Sequence, residues 1–201
     1  METDEIGIVI LAAGGSARFG KPKQLLQFQG ASLLRRAVDT ALLSDGVKVV
    51  VVLGEGSQVL MNEIDGLPVT IAVNDDWRSG ISSSIKIGLK KLLDAESGLA
   101  AAIIMLCDQP LVNADMISAL IDGFRSSRKP IVASRYQGTL GVPALFAREM
   151  FEELLDLKGD VGAKPIINRH ASNVCEIDAP EATPDIDRPE DYERLLTQKQ
   201  Q

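Results

Sequence analysis

GIVILAAGGSARFGKPKQLL, residues 7–26, joins two unlike halves. Gly7 to Ala12 is a short β-branched run that ends in glycines, the pattern of a buried strand. Gly14, Gly15, Arg18, Gly20, Lys21 and Lys23 then crowd into ten positions. That density of glycine and positive charge suits a loop and neither a helix nor a strand interior.

The same change from apolar run to punctuation repeats downstream. Ser32 can cap a helix whose Leu33, Leu34, Ala37, Val38, Ala41 and Leu42 recur at helical spacing. Val47 to Leu53 (VKVVVVL) is the strongest strand candidate, and a helix is expected over Gln58 to Ile64. Val69 to Val73, Ser82 to Leu93 and Leu99 to Leu106 continue as strand, helix and strand, and Asn113 caps a helix reaching Phe124. Alternation of strand and helix over the first 125 residues predicts an α/β chain with a doubly wound, Rossmann-like, mostly parallel sheet between two helical layers. Right-handed crossovers then gather the strands' C-terminal ends on one edge. Beyond residue 125, Ile131 to Ser134 and Val142 to Phe146 flank Gln137-Gly138 and predict a small antiparallel ribbon. Arg148 to Leu157 and Ala163 to Arg169 read as helices, Asn173 to Ile177 as a strand, and Glu190 to Leu196 as a closing helix. With no repeat, low-complexity tract or linker, residues 1–201 read as one domain.

Composition narrows the function. Hydrophobic residues make up 45% of the chain but aromatic ones only 4%, which favours a Val/Ile/Leu/Ala-packed parallel sheet. A net charge of −7 argues against a nucleic-acid or anionic-membrane partner, so basic residues are placed locally, for a small anion. Cys107 and Cys175 form no ligand cluster, and the N-terminal apolar run is too short for a signal peptide or a span, so a cytoplasmic location is expected.

Gly15, Gly20 and Lys21 satisfy the G-x-x-x-x-G-K spacing of a Walker A loop. Pro22, however, stands where that motif needs a hydroxyl for Mg²⁺, and it biases Lys21 away from helix. A dinucleotide fingerprint is missing too. The loop still suits an anion: Gly14 and Gly15 expose backbone N–H groups, Arg18 offers a planar fork and Lys23 a mobile charge. By themselves these residues also fit a surface turn with solvated cations.

Taken together, Leu11 to Leu26 resembles the signature loop of the nucleotidyltransferase superfamily. It is closest to the molybdenum cofactor cytidylyltransferases and similar to molybdopterin-guanine dinucleotide synthases. The resemblance implies a nucleotide-diphospho-sugar transferase-like fold, with Arg18 and Lys23 as catalytic cations on the triphosphate and Leu11, Ala12, Ala13, Gly14 and Gly15 wrapping the nucleotide. Asp108, which also fits a helix-capping or turn role before Pro110, lies in L-C-D-Q-P, similar to the family's metal-binding D-Q-P segment. Asp187 lies in D-I-D-R-P-E-D-Y, similar to the family's ending. Asp108 and Asp187 would thus hold Mg²⁺, a hard cation suited to carboxylates, phosphates and water. Asn74, Gly80 and Ser83 match the N-x-x-W-x-x-G-x-x-S-S segment lining the base and sugar pocket, although an ordinary N-cap cluster reads the same way. Gly141, Asp160 and Lys164 match elements near the acceptor. Val142 stands where the family commonly has a polar residue or histidine, a departure that bears on the acceptor.

The resemblance runs from Ile8 to Tyr192 in family order. It implies transfer of CMP from CTP to the phosphate of a molybdopterin, with pyrophosphate released, and a molybdoenzyme or insertion-chaperone partner for the product. Guanylyl transfer, transfer to a sugar or alcohol phosphate, and a non-catalytic escort role are the alternatives. The lone histidine, His170, is assigned no chemistry, and both cysteines read as small packed hydrophobes.

Overall fold

The computed structural model describes residues 5–15, 19–20, 22–44, 47–54, 56–182 and 185–197. In chain order the strands and α-helices are β1 (Ile6–Ala12), β2 (Gln27–Phe28), β3 (Ala31–Ser32), α1 (Leu33–Leu42), β4 (Lys48–Leu53), α2 (Ser57–Glu63), β5 (Thr70–Val73) and α3 (Ile81–Ala95). They continue as β6 (Ala101–Leu106), α4 (Ala114–Ser127), β7 (Ile131–Tyr136), β8 (Thr139–Ala147), α5 (Phe151–Asp156), α6 (Lys164–Arg169), β9 (Val174–Asp178) and α7 (Pro189–Thr197).

Seven strands form one sheet in the order β5-β4-β1-β6-β8-β7-β9. β1 is an inner strand buried along its whole length, paired in parallel with β4 and β6. Its side chains alternate with the period of two that the pleat imposes. Ile6, Ile8, Ile10 and Ala12 join one apolar cluster with Leu34 and Val38 of α1 and Ile117 and Leu120 of α4. Val9 and Leu11 join the opposite cluster with Ile85 and Leu89 of α3, Leu154 of α5 and Ile166 of α6. The sheet is therefore sandwiched between two helical layers, as the apolar runs predict. Both expected caps form: Ser32 Oγ accepts from the Arg35 N–H at 3.1 Å, and Asn113 Oδ1 from the Met116 N–H at 3.0 Å.

Two features differ from the sequence reading. The predicted antiparallel ribbon lies inside the main sheet, with β8 running antiparallel between β6 and β7. Burial explains the position, because Leu145 packs into one cluster while Ala144 and Phe146 pack into the other, and a peripheral ribbon would leave one of those faces wet. Gln137 and Gly138 form the connecting turn at φ 47° and 72°, the left-handed values a tight hairpin favours. The stretch before Ser32 is not plain loop either: it holds a 3₁₀ turn over Lys23–Leu25 and the β2–β3 hairpin. The structure also shows no helix, among the described residues, long and apolar enough to cross a membrane.

α3 lies close against the sheet because Gly88 has no side chain there. A methyl at Gly88 would stand 2.3 Å from Val9 Cγ1 and 2.9 Å from Val52 Cγ2. Both are branched side chains of buried strands, with little room to turn aside. Gly88→Ala gains about 1 kcal/mol of helix propensity but forces overpacking of about 1–3 kcal/mol, so net destabilisation is expected. Urea denaturation measures it; an unchanged or higher midpoint would show that the layer can move apart at no cost.

Candidate active site

β1, β4 and β6 run parallel, so their C-terminal ends open onto one edge, where α/β sheets place ligands. There a cleft of about 600 Å³ is lined by Leu11 to Gly15, Lys23, Gln24, Trp77 to Ile81, Ser84, Leu106 to Asp108, Asp160, Asp185 and Asp187. Its floor is the end of β1 and the glycine loop. Gln24, almost fully buried, shapes that loop: its Nε2 donates to Ala12 O at 2.8 Å and Gly14 O at 2.9 Å. Buried polar groups need partners, and here the loop carbonyls supply them. Sequence reasoning passed over Gln24; its one local signal is a polar residue set beside Leu25 and Leu26.

Lys23 points from the 3₁₀ turn into the acids. Its Nζ lies 2.5 Å from Asp108 Oδ2 and 3.4 Å from Asp187 Oδ1, and it donates to Ile186 O at 3.3 Å. Asp187 is 79 residues beyond Asp108 in sequence, and the chain secures their meeting twice. Ile186 N–H donates to Asp108 O at 3.1 Å, and the fully buried Ile186 side chain packs with Leu26, Phe28, Leu33 and Leu195. Gln109 adds a brace, its Nε2 donating to Val142 O and Ala182 O at 3.1 Å each.

The charges answer one another. Burial pulls the Lys23 pKa down, but the Asp108 carboxylate beside it outweighs that and holds it above the ordinary lysine value, so Lys23 stays cationic. Much of Asp185 is open to solvent, yet its carboxyl lines the cleft. Desolvation, and after it the charge of Asp108, pushes its pKa up to about 6. Burial drives the Cys107 thiol upward, so it is an inert packed group.

One ammonium touching both Asp108 and Asp187 shows that their oxygens surround a common cation position, and two hard oxygens suit a divalent cation. Among the described residues no group of three or more His, Cys, Asp or Glu side chains could hold a metal unaided. Phosphate and water oxygens would have to complete the shell.

The other wall is the 3₁₀ turn Trp77–Ser79, held from behind. Asn74 is fully buried; its Nδ2 donates to Ser83 Oγ at 2.8 Å and Ser84 Oγ at 2.9 Å, and its Oδ1 accepts from Asp76 N–H at 3.0 Å. Ser83 Oγ in turn donates to Gly80 O at 2.7 Å. Gly80, at φ 108°, lies against the Gly159–Asp160 backbone, where a Cβ would stand 2.4 Å from Gly159 C. Ser82 N–H donates to Gly159 O, and Asp160 Oδ1 accepts from Ile81 N–H, each at 3.4 Å.

The structure thus gathers Leu11, Ala12, Ala13, Gly14, Gly15, Lys23, Gly80, Asp108, Asp160 and Asp187 around one cleft. Arg18 lies outside the described residues. Asn74 and Ser83 sit behind the lining as its brace. Gly141 lies on β8 against the Tyr136 hydroxyl, and Lys164 is exposed in the first turn of α6; neither lines the cleft. His170 is paired with Glu153 at 2.7 Å, away from the cleft. Trp77, Arg78 and Asp185 also line it; they fall inside segments matched in the sequence but received no role there.

A family profile described as a MobA-like NTP transferase domain matches residues 8–174. Two curated proteins are each 30% identical to the chain. Nicotine blue oxidoreductase of Paenarthrobacter nicotinovorans aligns over 94% of the chain and 95% of its own length, and purine catabolism protein PucB of Bacillus subtilis over 93% and 94%. Among solved structures, Rv0371c of Mycobacterium tuberculosis H37Rv superposes with a TM-score of 0.86 at 29% identity, covering 98% of the chain and 100% of its own. The same protein has been solved in complex with manganese, at a TM-score of 0.81 and 27% identity, over 96% and 98% of the two chains.

Whether Asn74 braces the wall or touches a ligand can be measured without any ligand. Asn74→Ala removes three hydrogen bonds from a buried position, and a cost of about 1–3 kcal/mol is expected. Thermal melting of the ligand-free protein should fall by several degrees. A melting temperature equal to the parent's would remove the bracing role from Asn74.

Proposed function

The chain belongs to the MobA-like NTP transferase family, and from that premise we propose that it transfers CMP from CTP to the phosphate of a molybdopterin, in the cytoplasm. The observation that carries this reading is the Lys23 ammonium between Asp108 and Asp187, in a cleft also lined by Gly14 and Gly15, whose backbone amides suit an anion. Cation, paired acids and amides together are the equipment for a triphosphate and its counter-ion.

In the proposed reaction an acceptor phosphate oxygen attacks the α-phosphorus of CTP in line. The new bond is a P–O–P bridge, the bond to the β-phosphate oxygen breaks, and pyrophosphate leaves. The second pKa of a phosphate monoester lies near ~6, so the acceptor is largely dianionic at neutral pH and needs no side-chain base. Lys23 would leave its aspartates for the triphosphate oxygens, neutralising charge that grows toward pyrophosphate. The backbone of Ala13 to Gly15, shaped by Gln24, would hold the phosphates in register. Arg18 is assigned to the same phosphates on sequence grounds. Asp108 and Asp187 would hold Mg²⁺, which supplies charge neutralisation on the triphosphate when bound; the manganese complex of Rv0371c supports a divalent cation in this family. A molybdoenzyme or an insertion chaperone would receive the product.

One relative is named for an oxidoreductase. The arrangement of Lys23, Asp108 and Asp187 favours transfer over redox chemistry, because it concentrates charge for phosphates.

Labelled CTP and GTP, each supplied with molybdopterin and Mg²⁺, should give pyrophosphate with CTP in preference. Faster turnover with GTP would move the assignment to guanylyl transfer. Oxidation of a reduced nicotinamide without pyrophosphate release would remove the transferase reading altogether. Lys23→Ala should lower turnover by ~10²–10³ while melting as a folded protein. Asp108→Asn and Asp187→Asn should each shift the Mg²⁺ titration to higher concentration; an unshifted titration would contradict their assignment.

A further inference from the structure

A nucleoside triphosphate and a phosphate monoester are both strongly anionic, and Asp108, Asp160, Asp185 and Asp187 line the cleft where they would meet. At such short range each anion needs a cation of its own. Among the described residues lining the cleft, the cations are Lys23 and Arg78. Lys23 is engaged with Asp108 and Asp187, the acids of the triphosphate end. Lys164, the sequence's candidate for the acceptor phosphate, stands exposed outside the lining.

Arg78 has the build of a phosphate clamp. Its Cζ lies 4.3 Å from the Trp77 ring centroid, so the guanidinium rests on an aromatic plate. A planar fork steadied in this way loses less freedom on making paired bonds to phosphate oxygens than a lysine would. The turn that carries both residues is fixed: Ser79 N–H donates to Asp76 O at 3.0 Å, and Gly80 N–H to Trp77 O at 3.2 Å. Gly80 then abuts Gly159, which puts Arg78 on the same wall as the Gly159–Asp160 loop.

We propose that Arg78, steadied by Trp77, binds the phosphate monoester of the acceptor and holds it for attack. The assignment rests on the transferase reading of the same cleft. It places the acceptor's phosphate at Trp77 and Arg78 and leaves Lys164 out of its recognition.

Calorimetric titration of the full chain with molybdopterin, with its dephosphorylated form, and with CTP plus Mg²⁺ tests this. Arg78→Ala should weaken molybdopterin binding by about ten- to a hundredfold, the size of a lost charge-assisted contact. Binding of CTP and of the dephosphorylated form should change less than about twofold, because neither uses the fork. Arg78→Lys should fall between, and Trp77→Phe, which keeps an aromatic plate, should stay near the parent. The chain has one tryptophan, Trp77, so its fluorescence reports acceptor arrival independently. An Arg78→Ala variant that binds molybdopterin like the parent, or that loses CTP instead, overturns the proposal, as does a parent protein that binds no molybdopterin. Arg78-dependent binding without pyrophosphate release from any nucleotide would keep the clamp and discard the transferase.

Discussion

The Lys23 ammonium, held against Asp108 and within reach of Asp187, is the tie on which the cleft depends. Two carboxylates brought to one place repel, and the repulsion grows as water is excluded. The side chains of Lys23 and Asp108 are only 17% and 11% exposed, so solvent does little to screen them. Asp187 is 60% exposed and its link is longer, so it is the loose member of the three. The tight pair sits on the sheet edge and the loose one on the tail. The tail is nevertheless kept in place by means that carry no charge: the Ile186–Asp108 backbone bond and the buried Ile186 side chain. Removing the cation would therefore leave opposed acids in a scaffold that cannot separate them.

The same economy fixes the start of the glycine loop at the end of β1. Its carbonyls at Ala12 and Gly14 are taken by the Gln24 amide, and Gln24 comes one residue after Lys23. A single 3₁₀ turn thus fixes the floor of the cleft and delivers its cation. The opposite wall works in the same manner, with Asn74 and Ser83 spending their hydrogen bonds on the turn and leaving the surface to Trp77 and Arg78. The backbone of the floor and the turn of the wall are thus already oriented before a ligand arrives, which is where electrostatic catalysis has its advantage.

Much of this was legible in the sequence, and the reasons differ by element. β1, β4 and β6 declared themselves because parallel strands buried on both faces are continuous apolar runs. The caps at Ser32 and Asn113 were readable because capping is a local bargain between a side chain and N–H groups three residues away. Asp108 and Asp187 were singled out through resemblance, since nothing local distinguishes them from solvated acids. The place of β8 was not readable: insertion between β6 and β7 is decided by which faces remain uncovered after the whole sheet assembles. Gln24, Trp77 and Arg78 received no role for a similar reason, although Trp77 lies in a matched segment. Each acts through a partner distant along the chain or through a cleft that exists only when loops from several strands converge. Asn74 and Ser83 were singled out as part of a pocket segment, and in the structure their hydrogen bonds run within the wall that carries Trp77 and Arg78.

The acidity of the chain gives these placements their meaning. With a net charge of −7, the protein as a whole repels anionic ligands, and four aspartates in the lining sharpen the repulsion at short range. An anion is then admitted only where a cation meets it at contact distance, so discrimination is achieved by exclusion as much as by attraction. Lys23 is already satisfied by Asp108, and a ligand that draws it away must offer at least as favourable a set of oxygens. A triphosphate accompanied by a divalent cation would do so, because the cation would compensate the very aspartates that the lysine vacates. A lone phosphate or a sugar phosphate would not. On the proposed reading, the cleft would then favour the charge pattern of a metal-bound triphosphate before any base is read.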